Sequence, residues 1–162
     1  MKIVVVSDTH LPEGISSFPA QLIADIKSAD MVIHAGDFVE EQVFEGIKAI
    51  ARQVKAVHGN MDCDELKDKL TDKEVIIIGK FKIGVIHGNG APSSLVDFVG
   101  EAFKKDSPDL IIFGHAHSAF NEKVGKVIFF NPGSPVDKIY APYNSYGIIE
   151  ISDKIEARIV KV

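Results

Sequence analysis

The sequence holds a single cysteine, Cys63, so no disulfide can form within the chain. Its apolar start, residues 3–6, is too short for a secretory core and runs straight into Ser7-Asp8-Thr9-His10. Both features point to a reducing, cytoplasmic setting. No apolar run approaches the length of a membrane span, so no membrane partner is expected. A basic excess is missing as well: 18 Lys and Arg face 23 Asp and Glu, a formal net charge of −5. That balance argues against broad electrostatic binding to nucleic acid or anionic lipid. Low-complexity tracts, internal repeats and linker-like stretches are also lacking. What is present is ordinary for a globular protein. Its 162 residues are 46 % hydrophobic and 25 % charged, and they read as one domain over residues 1–162. That length buries a core without help from disulfides.

Short apolar runs alternate with helix-like segments. Residues 2–6, 31–34 and 53–57 read as strands. Residues 20–28 and 40–51 between them carry apolar side chains at three- and four-residue spacing, the mark of an amphipathic helix. A Pro/Gly/Ser-rich loop is read over residues 11–19. The second half changes rhythm. Residues 74–78 and 81–86 flank Gly79-Lys80 as a hairpin, and 110–113 and 126–130 are further strands. A helix over residues 93–105 presents Leu95, Phe98, Val99, Ala102 and Phe103, with Ser93 or Ser94 as its cap. Residues 146–151 and 155–160 pair through Ser152-Asp153-Lys154. The pattern predicts an α/β sandwich whose first three strands are parallel.

The informative feature is where the polar residues fall. Five apolar strands each end in side chains able to hold a metal: Asp8 and His10, then Asp37, Asn60, His87, and lastly His115 with His117. In open α/β sheets the functional crevice lies beyond the carboxyl ends of the strands, so the seven can converge. Imidazole and carboxylate suit Mn²⁺, Fe²⁺, Co²⁺, Ni²⁺ and Zn²⁺, whereas soft thiolate ligands are absent. The two i,i+2 pairs would each face one side of extended backbone. Seven ligands are too many for one ion with open positions, but they suit two ions sharing a carboxylate. Glycines 36, 59, 88 and 114 allow tight turns and close backbone approach there. Taken singly each element is weak, since Gly-Asp and Gly-Asn are common turn dipeptides. Their joint occurrence in order, each after a strand, is specific.

Asp8-Thr9-His10, Gly36-Asp37, Gly59-Asn60, His87-Gly88 and Gly114-His115-Ala116-His117 resemble the ordered motifs of calcineurin-like metallophosphoesterases. The short chain and Asn131-Pro132-Gly133-Ser134 resemble the small prokaryotic phosphodiesterase branch of that superfamily. The resemblance implies a four-layer α-β-β-α sandwich with two mixed β-sheets and a centre of two divalent ions. Asp8, His10 and His117 would hold the first ion, Asn60, His87 and His115 the second, and Asp37 would bridge. Mn²⁺ is the first choice, with Ni²⁺, Co²⁺, Fe²⁺, Zn²⁺ or Mg²⁺ as alternatives. The implied activity is hydrolysis of a small phosphoester by a bridging water or hydroxide. The Asn60 amide would double as a catalytic donor to a phosphoryl oxygen.

Two positions depart from the family pattern. Many relatives carry a histidine directly after Gly-Asn that assists the leaving group; here Met61 stands there, followed by Asp62. Asp62 would serve as donor only with a raised pKa, so aryl diesters are expected to turn over better than alkyl monoesters. Asn89 likewise stands where relatives often carry another histidine. His34 is read as packing or as a partner of a ligand. Two other functions stay open. One is a catalytically weak binding module, because a eukaryotic trafficking subunit of this fold serves as a scaffold. The other is a nucleotide-directed phosphoesterase acting on a cyclic nucleotide or in a nuclease-like way. The apolar run 75–78 and Phe129-Phe130 exceed what one small sheet must bury, which points to a homo-dimer or higher homo-oligomer.

Overall fold

The computed structural model describes residues 1–12 and 14–162; position 13, in the loop read over residues 11–19, lies outside the described residues. Strands β1 (Lys2–Val6), β2 (Met31–His34) and β3 (Val54–Ala56) run parallel. Strands β9 (Ser145–Ile151) and β10 (Ile155–Lys161) complete their sheet in antiparallel pairing, giving the order β10-β9-β1-β2-β3. The second sheet holds β4 (Lys73–Ile78), β5 (Phe81–Ile86), β6 (Leu110–Ile112), β7 (Phe120–Val124) and β8 (Val127–Asn131). Its order is β4-β5-β6-β8-β7, with β5, β6 and β8 parallel. Both sheets are therefore mixed.

The run Ile3-Val4-Val5-Val6 shows why the sheets stack between helices. Successive side chains of a strand face opposite sides, and all four of these are fully buried. Ile3 and Val5 join Ile33, Ile83, Val85, Ile112 and Phe130 in the core between the sheets. Val4 and Val6 pack outward under α1 (Ala20–Ser28), α2 (Glu41–Ile50) and α3 (Asp64–Lys69), through Leu22, Ile26, Val43, Ile47 and Leu66. On the far side α4 (Leu95–Ala102) seats Leu95 and Val99 on Ile111, Phe113 and Phe129. The expected α-β-β-α layering follows, because strands buried on both faces need uninterrupted apolar runs and possess them.

Several local expectations change. Phe129 and Phe130 are both buried, on opposite faces of β8, so internal packing accounts for them and they give no reason for a subunit contact. Of the 75–78 run, Ile76 enters the core between the sheets while Ile77 is 63 % exposed on an edge strand. The fourth helix is shorter than expected and follows a 3₁₀ turn, Pro92–Ser94. Neither serine caps it: the Ser94 hydroxyl donates to the Ala91 carbonyl, 3.0 Å away. Two elements, α3 and β7, are additional to the sequence reading. The first has one buried apolar residue, Leu66, in six, and the second is a mostly exposed edge strand.

Candidate metal centre

All the strands that precede the predicted ligands point their carboxyl ends to one rim, and cross-sheet contacts bring the two halves of that rim together. His115 N–H donates to the Asp8 carboxylate at 3.1 Å across 107 residues of sequence. His87 Nδ1 lies 2.8 Å from the Ala35 carbonyl at the end of β2. Two close approaches make this possible. A Cβ at Gly59 would lie 2.1 Å from Asp37 Oδ1, and one at Gly114 would lie 1.9 Å from Ser7 Oγ. Neither position tolerates a side chain as the rim stands.

The i,i+2 pairs do not meet through extended backbone. Asp8, His10, His115 and His117 lie just past the strand ends with φ of 54°, 43°, 70° and 55°, and Asp37 has φ of 59°. Left-handed backbone turns each carboxylate or imidazole inward more sharply than a strand could. For residues with a Cβ it carries a cost of about 1–2 kcal/mol each. The rim over-determines these conformations with hydrogen bonds. Asp8 N–H donates to Gly36 O (3.0 Å) and His10 N–H to Asp37 O (3.2 Å). Met61 N–H donates to Asp37 Oδ1 (2.8 Å), and the Ser7 hydroxyl to Asp8 Oδ2 (2.6 Å).

Among the described residues, two groups of His, Cys, Asp and Glu side chains bring ligand atoms within 4.8 Å of one another: Asp8, His10 and His117, and Asp8, Asp37 and His87. The first set is the predicted ligand set of the first ion. The second contains Asp37 and His87 with Asp8, and His115, predicted beside His87, is not among its members; Asn60 and His115 lie against each other. His115 Nδ1 is 3.1 Å from Asn60 Oδ1, and the His115 ring packs edge-on to His87 at 5.3 Å. His115 Nε2 is 3.1 Å from the Gly90 carbonyl.

The electrostatics are those of a cation site. Burial drives the Asp8 carboxyl above the usual carboxylate range, although His87, Ser7 and His117 pull the other way. Burial pushes Asp37 up too, but His10 and His87 outweigh it and hold that carboxyl far below the usual range. The Asp37 carboxylate raises His10. His87 is pushed down by burial, yet Asp37 and Asp8 raise it on balance. His10 Nε2 and His87 Nε2 are buried and lie 3.4 and 3.2 Å from Asp37 Oδ2, but neither has a hydrogen-bond partner. Buried polar atoms without partners are rare because each costs about 1–3 kcal/mol. Here both lie beside the carboxylate predicted to bridge two ions, without the alignment of a hydrogen bond to it. The donor set therefore fits divalent metal.

Residues around the ligands hold them in place. His34 is fully buried; its Nδ1 accepts the Gly36 N–H (3.1 Å), so Nε2 carries the proton and donates to Thr9 Oγ1 (3.2 Å). The ring stacks on Phe38 at 3.5 Å, and burial keeps it neutral by holding its pKa well below the ordinary value. His34 thus ties the loop after β1 to the loop after β2. Asp62 is no leaving-group donor: its oxygens accept the N–H groups of Asp37 (3.1 Å), Gly59 (2.7 Å) and Val39 (2.8 Å). Sequence reasoning missed Asp137, whose Oδ2 lies 2.5 Å from His117 Nδ1. Nothing in its spacing marks it, because it sits in an irregular loop beyond Ser134. A cavity of about 330 Å³ opens beside Asn60 and His87 and is walled by His58, Lys67, Asn89 and the exposed ring of Phe98.

Comparison with known proteins agrees with this geometry. The sequence model of the calcineurin-like phosphoesterase superfamily domain matches residues 1–154. The chain belongs to that superfamily and is one of its metallophosphoesterases. It is 32 % identical to a probable metallophosphoesterase of Methanocaldococcus jannaschii, an alignment covering 100 % of this chain and 82 % of the relative. A phosphodiesterase of the same organism is also 32 % identical, over 82 % of this chain and 83 % of its own length. Among solved structures, Vps29 of Entamoeba histolytica complexed with zinc superposes with a TM-score of 0.78 at 26 % identity, covering 99 % of both chains. Among the described residues, no helix is long and apolar enough to cross a membrane.

Proposed function

We propose that the chain is a two-metal phosphodiesterase, with Asp8, His10 and His117 holding one ion, Asn60, His87 and His115 the other, and Asp37 shared. The observation that carries this reading is the pair of buried, partnerless Nε2 atoms of His10 and His87, 3.4 and 3.2 Å from Asp37 Oδ2. Mn²⁺ heads the expected metals, because the donors are imidazole and carboxylate. When bound, a pair of such ions acidifies a coordinated water and neutralises charge on phosphoryl oxygens. The chain's own residues do the rest. Asp37, held ionised by its histidine neighbours, keeps negative charge at the shared position. The Asn60 amide, exposed at the rim, donates to a phosphoryl oxygen as charge builds on it. Met61, 55 % exposed, offers no proton to the leaving group, and Asp62 is turned inward onto backbone N–H groups. The substrate is accordingly a small diester whose leaving group departs as a stable anion, such as an aryl ester.

A binding module of the same fold is the second reading, favoured by the likeness to Vps29. It ranks below the enzyme because all seven predicted ligands are present. Chelator-stripped protein assayed on an aryl phosphodiester, with Mn²⁺, Ni²⁺, Co²⁺, Mg²⁺ or Zn²⁺ restored singly, separates the two. Metal-dependent turnover supports the enzyme. Two tightly bound ions without turnover of any phosphoester would move the assignment to the module.

A further inference from the structure

The loop following Ser134 contributes no predicted ligand, yet it is wired to two of them. His117 Nδ1 lies 2.5 Å from Asp137 Oδ2. A carboxylate offers only acceptors, so Nδ1 carries a proton, and it is Nε2 whose lone pair is left to face an ion. That Nε2 is 3.6 Å from Asp8 Oδ1 and belongs to the Asp8, His10, His117 group. Asp137 is itself fixed. Its Oδ1 accepts the Ile139 N–H at 2.8 Å, and its Oδ2 accepts those of Ala141 and Tyr140 at 3.1 and 3.2 Å. Its own N–H donates to Ser134 Oγ at 3.0 Å, and the Ser134 hydroxyl donates to the Asp8 carbonyl at 2.7 Å. A continuous path, Asp8–Ser134–Asp137–His117, thus joins two ligands that are 109 positions apart in sequence.

The other histidines are held differently. His87 Nδ1 faces the Ala35 carbonyl at 2.8 Å, an uncharged partner. His115 has Asn60 and the Gly90 carbonyl beside its two nitrogens. Among these three, His117 is the one whose outer nitrogen meets a carboxylate, the arrangement that fixes ring orientation and raises ligand basicity.

We propose that Asp137 is the positioning residue of the first metal position: it sets the tautomer and ring orientation of His117 and thereby governs the affinity of that position alone. The proposal rests on the ligand assignment above. Because Asp137 also organises its own loop, Asp137→Ala can act by loosening the backbone, and a second variant is needed. Asp137→Asn removes the charge but keeps the loop: its amide oxygen stays where Oδ2 meets His117 Nδ1 and the Tyr140 and Ala141 N–H groups, and the Ile139 N–H loses its acceptor. The ring is then held by a weaker, uncharged acceptor, so its basicity falls and the share of His117 with the proton on Nε2, the atom that must face the ion, rises.

The test is titration of chelator-stripped protein with Mn²⁺ by calorimetry, for wild type, both Asp137 variants and His117→Ala. Imidazole ¹⁵N spectra of the metal-free proteins report the tautomer. Wild type should bind two ions. Both Asp137 variants should weaken one ion by roughly 10–100-fold, the same ion that His117→Ala weakens. Asp137→Asn should also show a larger share of His117 protonated on Nε2 than wild type, with the metal-free melting temperature close to wild type. Unchanged binding in Asp137→Asn, or equal weakening of both ions, would overturn the proposal. If wild type binds a single ion, the two-ion reading fails separately, and Asp137 is judged on that ion: weakening supports its role and no change removes it. No binding by wild type removes both.

Discussion

The two flanks of the metal centre are built to different standards. On the first, Asp8, His10 and His117 bring their ligand atoms together, and each of Asp8 and His117 is held by groups that touch no ion. On the second, His87 is locked by the Ala35 carbonyl, but Asn60 and His115 turn to each other, and Asn60 is solvent-exposed. The flanks also differ in what backs them. The first rests on the deepest part of the first sheet, at the end of β1, its central strand. The second borders the 330 Å³ cavity that Lys67 and Phe98 line. On the proposed two-ion reading the difference teaches a division of labour, in which one flank would be a preformed cation seat and the other an adaptable face that meets substrate. Preorganised ligands lose less on binding, so the first flank should fill at lower metal concentration.

Removing the residue common to both flanks should erase the distinction and gives the largest effect. Asp37→Ala deletes the shared carboxylate and leaves His10 and His87 without the group that raises them. Diester hydrolysis should fall by at least about 10²–10³-fold, the size seen when one oriented charge-stabilising group is lost. Calorimetry should show both ions weakened. Near-normal hydrolysis would mean that Asp37 bridges nothing. Next in size is Asp62, which supports both flanks from below. Asp62→Ala strands the N–H groups of Asp37, Val39 and Gly59, each worth about 1–3 kcal/mol when buried and unpaired. Denaturant unfolding should show a loss of roughly 3 kcal/mol. Asp62→Asn retains one oxygen, enough for the Asp37 and Gly59 N–H groups that share Oδ2, and loses the bond to Val39. Hydrolysis of alkyl phosphoesters, whose leaving group needs a proton, should stay within about tenfold, because Asp62 supplies none, and a collapse resembling loss of a general acid, about 10²–10⁴-fold, would restore that role.

The predicted ligands of both flanks were read from sequence in the same way. Asp8, His10, Asp37 and His117 stand beside apolar strands whose period and ends can be read, and strand polarity then dictates that they share a rim. The manner of their meeting was not legible. Nothing in Asp-Thr-His says that both ends of the triplet adopt φ near 50°, since that is imposed by hydrogen bonds from loops over 25 residues away. Asp137 was invisible for the same reason: its role depends on where an irregular loop returns, and such loops carry no periodicity. The elements α3 and β7 escaped because one lies too polar and short for a repeat to show, and the other is exposed along most of its length. In contrast the sandwich itself was open to reading, because strands buried on both faces leave no ambiguity of register between layers.

Proton competition sharpens the comparison further. In the metal-free protein the folded-state values of His10 and His87 lie above the ordinary imidazole value of 6.5. Raised histidines stabilise the fold fully below the unfolded value, and that contribution is lost as pH rises through the folded values. Asp8, also raised, acts in the same direction at lower pH, while depressed Asp37 acts oppositely only in strong acid. Ions must displace the histidine protons, so affinity should climb with pH by up to about tenfold per unit for each proton released. Melting scans from about pH 6 to about pH 8 should show the metal-free protein weakening while the increment given by Mn²⁺ widens. An increment that narrows would mean that His10 and His87 are not ligands.

The smallest expected effect concerns the adaptable flank alone. Met61 is exposed beside Asn60, and its N–H is already committed to Asp37 Oδ1. Met61→His keeps that backbone bond and adds an imidazole whose unperturbed pKa suits proton transfer near neutrality. An exposed ring without a fixing partner will be poorly oriented, so the gain should be roughly tenfold, below the 10²–10⁴-fold of an optimised acid. It should appear only where the leaving group needs a proton: alkyl esters should speed up, and aryl diesters should change by less than about twofold. Equal acceleration of both substrates would show that the new ring binds phosphate instead of protonating the leaving group. No acceleration of either would place the leaving group away from Met61, on the side of Phe98 and Lys67.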